Sequence, residues 1–184
     1  MNLYPTRRNP IACPRDLADR HVKTQIGDLA IMLATAIVAH DGPGNDAEVV
    51  ARLGPELIGD TGHPCVVWCA AWTENWSWAW LLLGALHDEY QHRTGTSHPQ
   101  RDRVLVLVEL MATSSDDEMA LRVLGLTDPP NDWPRSKAGK ATGIENDHAS
   151  ARQELAWRYA QWTAKARPPQ WTNRPRPEWV EAGP

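Results

Sequence analysis

The chain has 184 residues, 42% hydrophobic and 23% charged, with a net charge of −4. That length suits one domain, residues 1–184, with a sizeable core, and the acidic balance argues against a general, salt-driven grip on duplex DNA. No run approaches the roughly 18 uninterrupted apolar residues of a membrane span, and Met1 to Arg8 lacks the basic-then-apolar order of a secretory signal.

Cys13, Cys65 and Cys69 are an odd number without framework spacing, which fits free thiols in a reducing cytoplasm. Ten Trp against no Phe means that tryptophan does the work the two usually share, in the core and at any stacking surface. Charge is uneven. Met1 to Lys23 and Arg152 to Pro184 each balance at +3, whereas Asp41 to Asp60 balances at −4. If the two basic ends meet in space, a local positive face forms on an acidic protein.

Residues 1–15, with prolines at 5, 10 and 14, read as an irregular lead-in. A first helix is expected from about Asp16 to His40, stopped by Asp41-Gly42-Pro43-Gly44. Val22, Ile26, Leu29, Leu33 and Ile37 form its apolar stripe. His21 and Asp28, seven residues apart, lie two turns apart on nearly one line away from that stripe, with Thr24 and Gln25 filling the turn between. Two readings stay open for this line: an ordinary solvated face, or a face that meets a ligand.

Asp46 to Ile58 suggests a short helix interrupted by Gly54-Pro55. A second long helix is expected to start near His63-Pro64, since proline suits a first turn, and to run to about Arg93 before Thr94-Gly95. Trp68, Trp72, Trp76 and Trp80 repeat every four residues as a core row, which leaves Trp78 as the candidate for exposure. Arg103 to Met111 passes for a buried strand or a buried helix, with helical surroundings favouring the helix. Ser115 and Glu118 resemble a capping box opening a helix to Leu124. Thr127 to Gly143 reads as a loop, and Asn146 to Lys165 as another helix. The proline-rich tail, 166–184, is expected to run extended over the body, pinned by Trp171 and Trp179. The fold class is therefore all-α.

His63, Cys65 and Cys69 are close in sequence, but no CxxC pair or HExxH motif completes a zinc set, so buried thiols are the expected reading. There is no Walker loop, GxGxxG or GxSxG elbow, and no cofactor is implied.

Leu17-Ala18-Asp19-Arg20-His21-Val22, with an acid nine residues after Asp19, resembles the first helix of the virus-encoded pyrimidine-dimer DNA glycosylases of the endonuclease V type. Gly62-His63, leading into an aromatic-rich helix that ends at Arg93-Thr94-Gly95, is similar to that family's central helix, and Arg167-Pro168-Pro169-Gln170-Trp171 to its closing segment. An uncharacterised group of phage proteins resembles the chain further, at Asp19-Arg20-His21, His63-Pro64 and Pro177-Glu178-Trp179.

The resemblance implies a DNA-repair or DNA-modification enzyme, in the cytoplasm of a bacterium or phage-infected host. An amine at the chain's start attacks the sugar C1′ to form an imine, and a nearby carboxylate moves protons for β-elimination. An α-amine suits that step because its ordinary pKa, roughly 7.7–8.0, leaves some of it unprotonated at neutral pH. Asp28 stands where the family has a glutamate, and Met1-Asn2 where it has a small residue exposed by methionine removal. The roles implied are Asp28 as the carboxylate, His21 as a positioning or proton-transfer group, and Met1 or Asn2 as the source of the amine. Arg8, Arg20, His63, Lys165 and Arg174 are DNA-binding candidates, and Trp171 a stacking or wedging residue. Two alternatives stand beside this. One is a phage-type enzyme acting on a modified pyrimidine nucleotide without imine chemistry; the other is a non-catalytic binding protein.

Overall fold

A computed structural model describes residues 3–41, 50–51, 53–102, 107 and 148–181. The described residues are helical and connecting segments, with no strand among them, so the fold class is all-α. The principal helices are α1 (Asp19–Asp41), α2 (Pro64–Ala71), α3 (Thr73–Thr94), α4 (His148–Ala164) and a last turn, α5 (Glu178–Glu181).

The lead-in is more ordered than its prolines suggest. Pro10–Asp16 is a 3-10 helix opened by Asn9, whose side chain accepts the Ile11 N–H, with proline in the first turn. Prolines at 10 and 14 remove N–H donors, and a short, tight helix loses less by this than an α-helix would. Leu17 is extended (φ −83°, ψ 140°), so α1 begins at Asp19 rather than at Asp16.

α1 sits at the centre. Val22, Ile26, Leu29 and Leu33 are buried as their spacing requires, and Ile37 packs half-buried. Ala30, Met32, Ala34, Thr35 and Ala36 are buried too, so this helix is covered nearly all round. By length and composition Asp19–Ala39 has enough apolar character to cross a membrane; in the fold more than half of it is buried against the rest of the protein, as in a core helix. α3 runs antiparallel to α1. The Trp76 indole N–H donates to the Leu33 carbonyl at 3.3 Å, and at the other end Arg93 reaches Asp19 and Leu17.

The single helix expected from His63 to Arg93 is two helices, broken at Trp72. Trp72 is extended (φ −149°, ψ 140°), and its carbonyl accepts the N–H groups of Asn75 and Trp76. Asn75 Nδ2 donates to the Trp68 carbonyl at 2.6 Å, satisfying an acceptor that the end of α2 leaves open. The break changes the phase of the tryptophan row. Trp72 is 69% exposed, whereas Trp78, the candidate for exposure, is fully buried and meets Trp68 edge-to-face. α3 ends at Gly95, whose φ of +72° gives the left-handed cap glycine adopts without strain.

In the segment Asp46 to Ile58 the described residues 50, 51 and 53 are helical, and the helix is interrupted at Gly54-Pro55 as the sequence indicates, Pro55–Leu57 following as a 3-10 turn; residues 42–49 and 52 lie outside the described residues. The readings of Arg103 to Met111, Ser115 to Leu124 and Thr127 to Gly143 also lie outside them, apart from the buried Leu107. α4 matches the helix expected from Asn146. The tail then runs extended, apart from a turn at 172–174 with Asn173 left-handed (φ 57°), until α5 adds one helical turn around Trp179. Trp171 and Trp179 both pack on Tyr159, at centroid separations of 5.3 and 6.4 Å.

Arg93 ties these parts together. Its buried guanidinium donates to the Pro14 and Leu17 carbonyls, to Asp19 Oδ1 and to Glu89 Oε1, all at 2.7–3.1 Å. Asp19 in turn accepts the Thr172 N–H and hydroxyl, and Glu89 takes a bidentate pair from Arg174. Replacing Arg93 with Met leaves the Pro14 and Leu17 carbonyls without this donor and takes one of two guanidinium partners from Glu89, for an expected loss of about 2–4 kcal/mol. Arg93→Lys should recover little of it, since an ammonium cannot span this fork. Urea unfolding of the two variants checks both outcomes.

Candidate functional site

The line of polar residues on α1 is not a solvated face. His21 is 8% and Gln25 2% exposed, and Asp28 is half-buried. Thr24 alone turns outward, its hydroxyl donating to the Arg20 carbonyl.

His21 sits inside an aromatic enclosure. Its ring lies 5.3 Å from Tyr4, 5.4 Å from Tyr159 and 4.8 Å from Trp162, centroid to centroid. Two guanidinium groups lie over these walls, Arg20 on Trp162 and Arg158 on Tyr4. Burial, reinforced by the charges of Arg158 and Arg20, pushes the imidazole down to about 4, so it is neutral at physiological pH. The Tyr159 oxygen accepts the Ala18 N–H at 2.9 Å and lies 3.0 Å from His21 Nδ1. With that N–H accepted, the phenol's own hydrogen is best used toward Nδ1, which assigns the imidazole proton to Nε2. Burial raises the Tyr159 phenol, keeping it a donor. His21 is thus a fixed neutral group, suited to positioning or donating a hydrogen bond rather than to carrying charge.

Asp28 lies two turns further along α1, toward α2. Its charge reaches the Cys65 thiol, which burial first and foremost pushes up to about 11. Burial raises Cys69 further. Neither thiol is a thiolate at neutral pH, which removes them as nucleophiles. His63, considered both for zinc and for DNA, caps α2: its Nδ1 accepts the Cys65 N–H at 3.1 Å. Among the described residues no group of three His, Cys, Asp or Glu side chains is placed to hold a metal ion.

The remaining candidates separate. Arg20 is exposed and belongs to the His21 enclosure through Trp162. Trp171 stands one ring away, edge-on to Tyr159, with its indole N–H donating to the Asp16 carbonyl, so it is a packed strut and not a free wedge. Arg174 is held by Glu89 at 2.8 Å on both arms. Arg8 and Lys165 are exposed, one before the first 3-10 helix and one just after α4. Met1 and Asn2 lie outside the described residues.

No family model, curated protein or solved structure matches this chain.

Sequence reasoning missed Gln25, Tyr159, Trp162 and Arg158. Gln25 was legible, being four residues after His21 and three before Asp28. The α4 residues carried no local signal, because their link to His21 spans about 140 positions of chain.

The enclosure has a measurable acid signature. Unfolded imidazole takes a proton near 6.5 and folded His21 only near 4, so the unfolded state binds more protons between these values. His21 therefore contributes stability that is complete above about pH 6.5 and lost as pH falls toward about 4, on the order of 3 kcal/mol. His87, held down to about 4 mainly by burial, acts in the same window. Urea unfolding at pH 7 and pH 4.5 should show a markedly smaller pH dependence in His21→Phe than in wild type, with the His87 share remaining.

Proposed function

We propose that this chain is a DNA-base-acting enzyme of the pyrimidine-dimer N-glycosylase/AP-lyase kind, with Asp28 as its carboxylate. The observation that carries the reading is convergence. The segments resembling that family, at 17–22, 93–95 and 167–171, meet in one hydrogen-bonded cluster: Arg93 bonds Leu17 and Asp19, Asp19 donates its N–H to Gln170, and Trp171 bonds Asp16. Motifs far apart in the chain thus act as one structural module beside the His21–Gln25–Asp28 line.

Tyr4, near the start of the given sequence, lies at the His21 end of that line. Residues 3–6 are buried, and Tyr4 packs on His21. The three residues from Tyr4 back to the α-amine span at most about 10 Å. In this reading the amine nitrogen bonds to the sugar C1′ as the glycosidic C–N bond breaks and the base leaves with a proton. The sugar ring opens to an imine, and loss of a C2′ proton then expels the 3′-phosphate. Asp28 stabilises the cationic intermediate and carries protons in these steps, while neutral His21 orients the sugar or base.

Borohydride reduction in the presence of DNA bearing a damaged pyrimidine or an abasic site should trap a covalent adduct. Acetylating the α-amine should abolish the adduct, and Asp28→Asn should reduce turnover about a hundredfold or more. Absence of an adduct on every such substrate removes the lyase claim.

One observation favours a second reading, a modified-pyrimidine nucleotide as substrate. Arg7, Arg93 and Arg174 are all paired with carboxylates inside the molecule, which lowers the positive charge offered to a long duplex. Mass spectrometry of modified pyrimidine nucleotides incubated with the protein tests it; an altered substituent with an intact glycosidic bond is the expected product.

A further inference from the structure

Arg20, Lys165 and Arg167 are exposed cations where the two ends of the chain meet, and no carboxylate among the described residues pairs with any of them. Trp162 on α4 is their hub. The Arg20 guanidinium lies over its ring, 5.1 Å from the centroid, and its carbonyl accepts the N–H groups of Lys165 and Arg167 at 3.1 and 2.9 Å. The Asp19 N–H donates to the Gln170 carbonyl at 2.8 Å, holding the first turn of α1 against the tail just beyond Arg167. The nearby acids are engaged elsewhere: Asp19 by Arg93 and Thr172, Asp16 by Arg7, and Glu154 by Arg158. The basic surplus of both ends of the sequence thus forms one positive face on an acidic protein.

Lys165 and Arg167 have a use within the fold, since cations at the end of α4 offset its dipole. Arg20 has the opposite placement. It lies in the first turn of α1, where the dipole opposes a cation, and Arg158 brings a second positive charge to the same imidazole. Stacking on Trp162 fixes the Arg20 plane, and its N–H edge has no acceptor among the described residues. A guanidinium held flat with its edge exposed matches two oxygens of a phosphate.

A free aromatic ring narrows the class of anion. Trp157 is 48% exposed, and no ring among the described residues packs on it. It lies two turns before Lys165 on one side of α4, with Gln161 between, about 12 Å along the helix. A polyphosphate has nothing to stack on such a ring, and a duplex keeps its bases stacked on one another. A single strand offers both parts, bases for the ring and phosphates for the cations.

We propose that this face binds a single strand of nucleic acid, with its phosphates on Arg20, Lys165 and Arg167 and a base stacked on Trp157. The face stands apart from the His21–Gln25–Asp28 line and goes beyond the reaction proposed there: it holds a strand whether or not chemistry follows. Binding is independent of sequence, because every nucleotide has a π-face and a phosphate.

The test is fluorescence anisotropy of a labelled oligothymidylate of about twelve nucleotides, titrated with the full chain at about 20 mM salt and at higher salt. The strand should bind, with log K falling against log salt at a slope of about −2, from three phosphate contacts at roughly 0.7 each. A base-free phosphodiester of equal length should bind at least about tenfold more weakly, as loss of a base stack requires. Trp157→Ala should remove most of that difference, and Arg20→Gln should make the slope shallower by roughly 0.7. Four results would overturn the proposal: no binding at the lower salt, equal affinity for the base-free polymer, a Trp157→Ala variant that binds as wild type does, or an unchanged slope in Arg20→Gln. A Lys165→Gln/Arg167→Gln variant with a lower thermal midpoint and wild-type affinity also overturns it, by assigning both cations to the end of α4. If a variant does not fold, the base-free comparison on wild type still decides. Strand binding by a protein that gives no borohydride adduct rejects the lyase chemistry and leaves this face standing; an adduct on damaged DNA without strand binding does the reverse.

Discussion

The buried guanidinium of Arg93 is the constraint around which this fold closes. A charge removed from water needs nearly all its donors engaged. Here Arg93 meets that demand with groups from the first 3-10 helix, the start of α1 and its own helix, and the carboxylates it binds are shared with the tail. The positions of α1, α3 and the tail are thus mutually dependent. Apolar packing alone would let α1 and α3 slide by a turn at modest expense; the fork of Arg93 does not. The same closure fixes the level at which His21 and Asp28 face their surroundings.

The two groups on the α1 line carry opposite kinds of burial. His21 is compensated: Tyr159 pairs one ring nitrogen, aromatic rings enclose the rest, and neighbouring cations keep it neutral. Gln25 is uncompensated. A protein tolerates a few such defects, and they concentrate where structure is subordinate to recognition.

How far the sequence was legible follows from the range of each interaction. The α1 stripe, the Pro64 start, the Gly95 stop and the extended, tryptophan-pinned tail are local signals, and the fold realises them. The Trp72 break is also local, yet hidden. Asn75 is an ordinary helix-surface residue until its amide is seen to bind the Trp68 carbonyl; Trp72 is then left outside and Trp78 is buried, while Trp76 keeps its place in the core. The enclosure of His21 depends on α4, far away in the chain, and spacing on α1 could not reveal it. Charge counts were legible but misleading at Arg174, whose basic neighbourhood concealed a dedicated carboxylate on α3.

The hydrogen bonds from Thr172 to Asp19 join positions 153 apart. A ribosome delivers Thr172 fully 153 residues after Asp19, so Arg93 can hold the first turn of α1 long before the tail arrives to complete the acid's partners. The clasp is therefore closed by contacts of very long sequence separation, and a chain that stops before Thr172 lacks it.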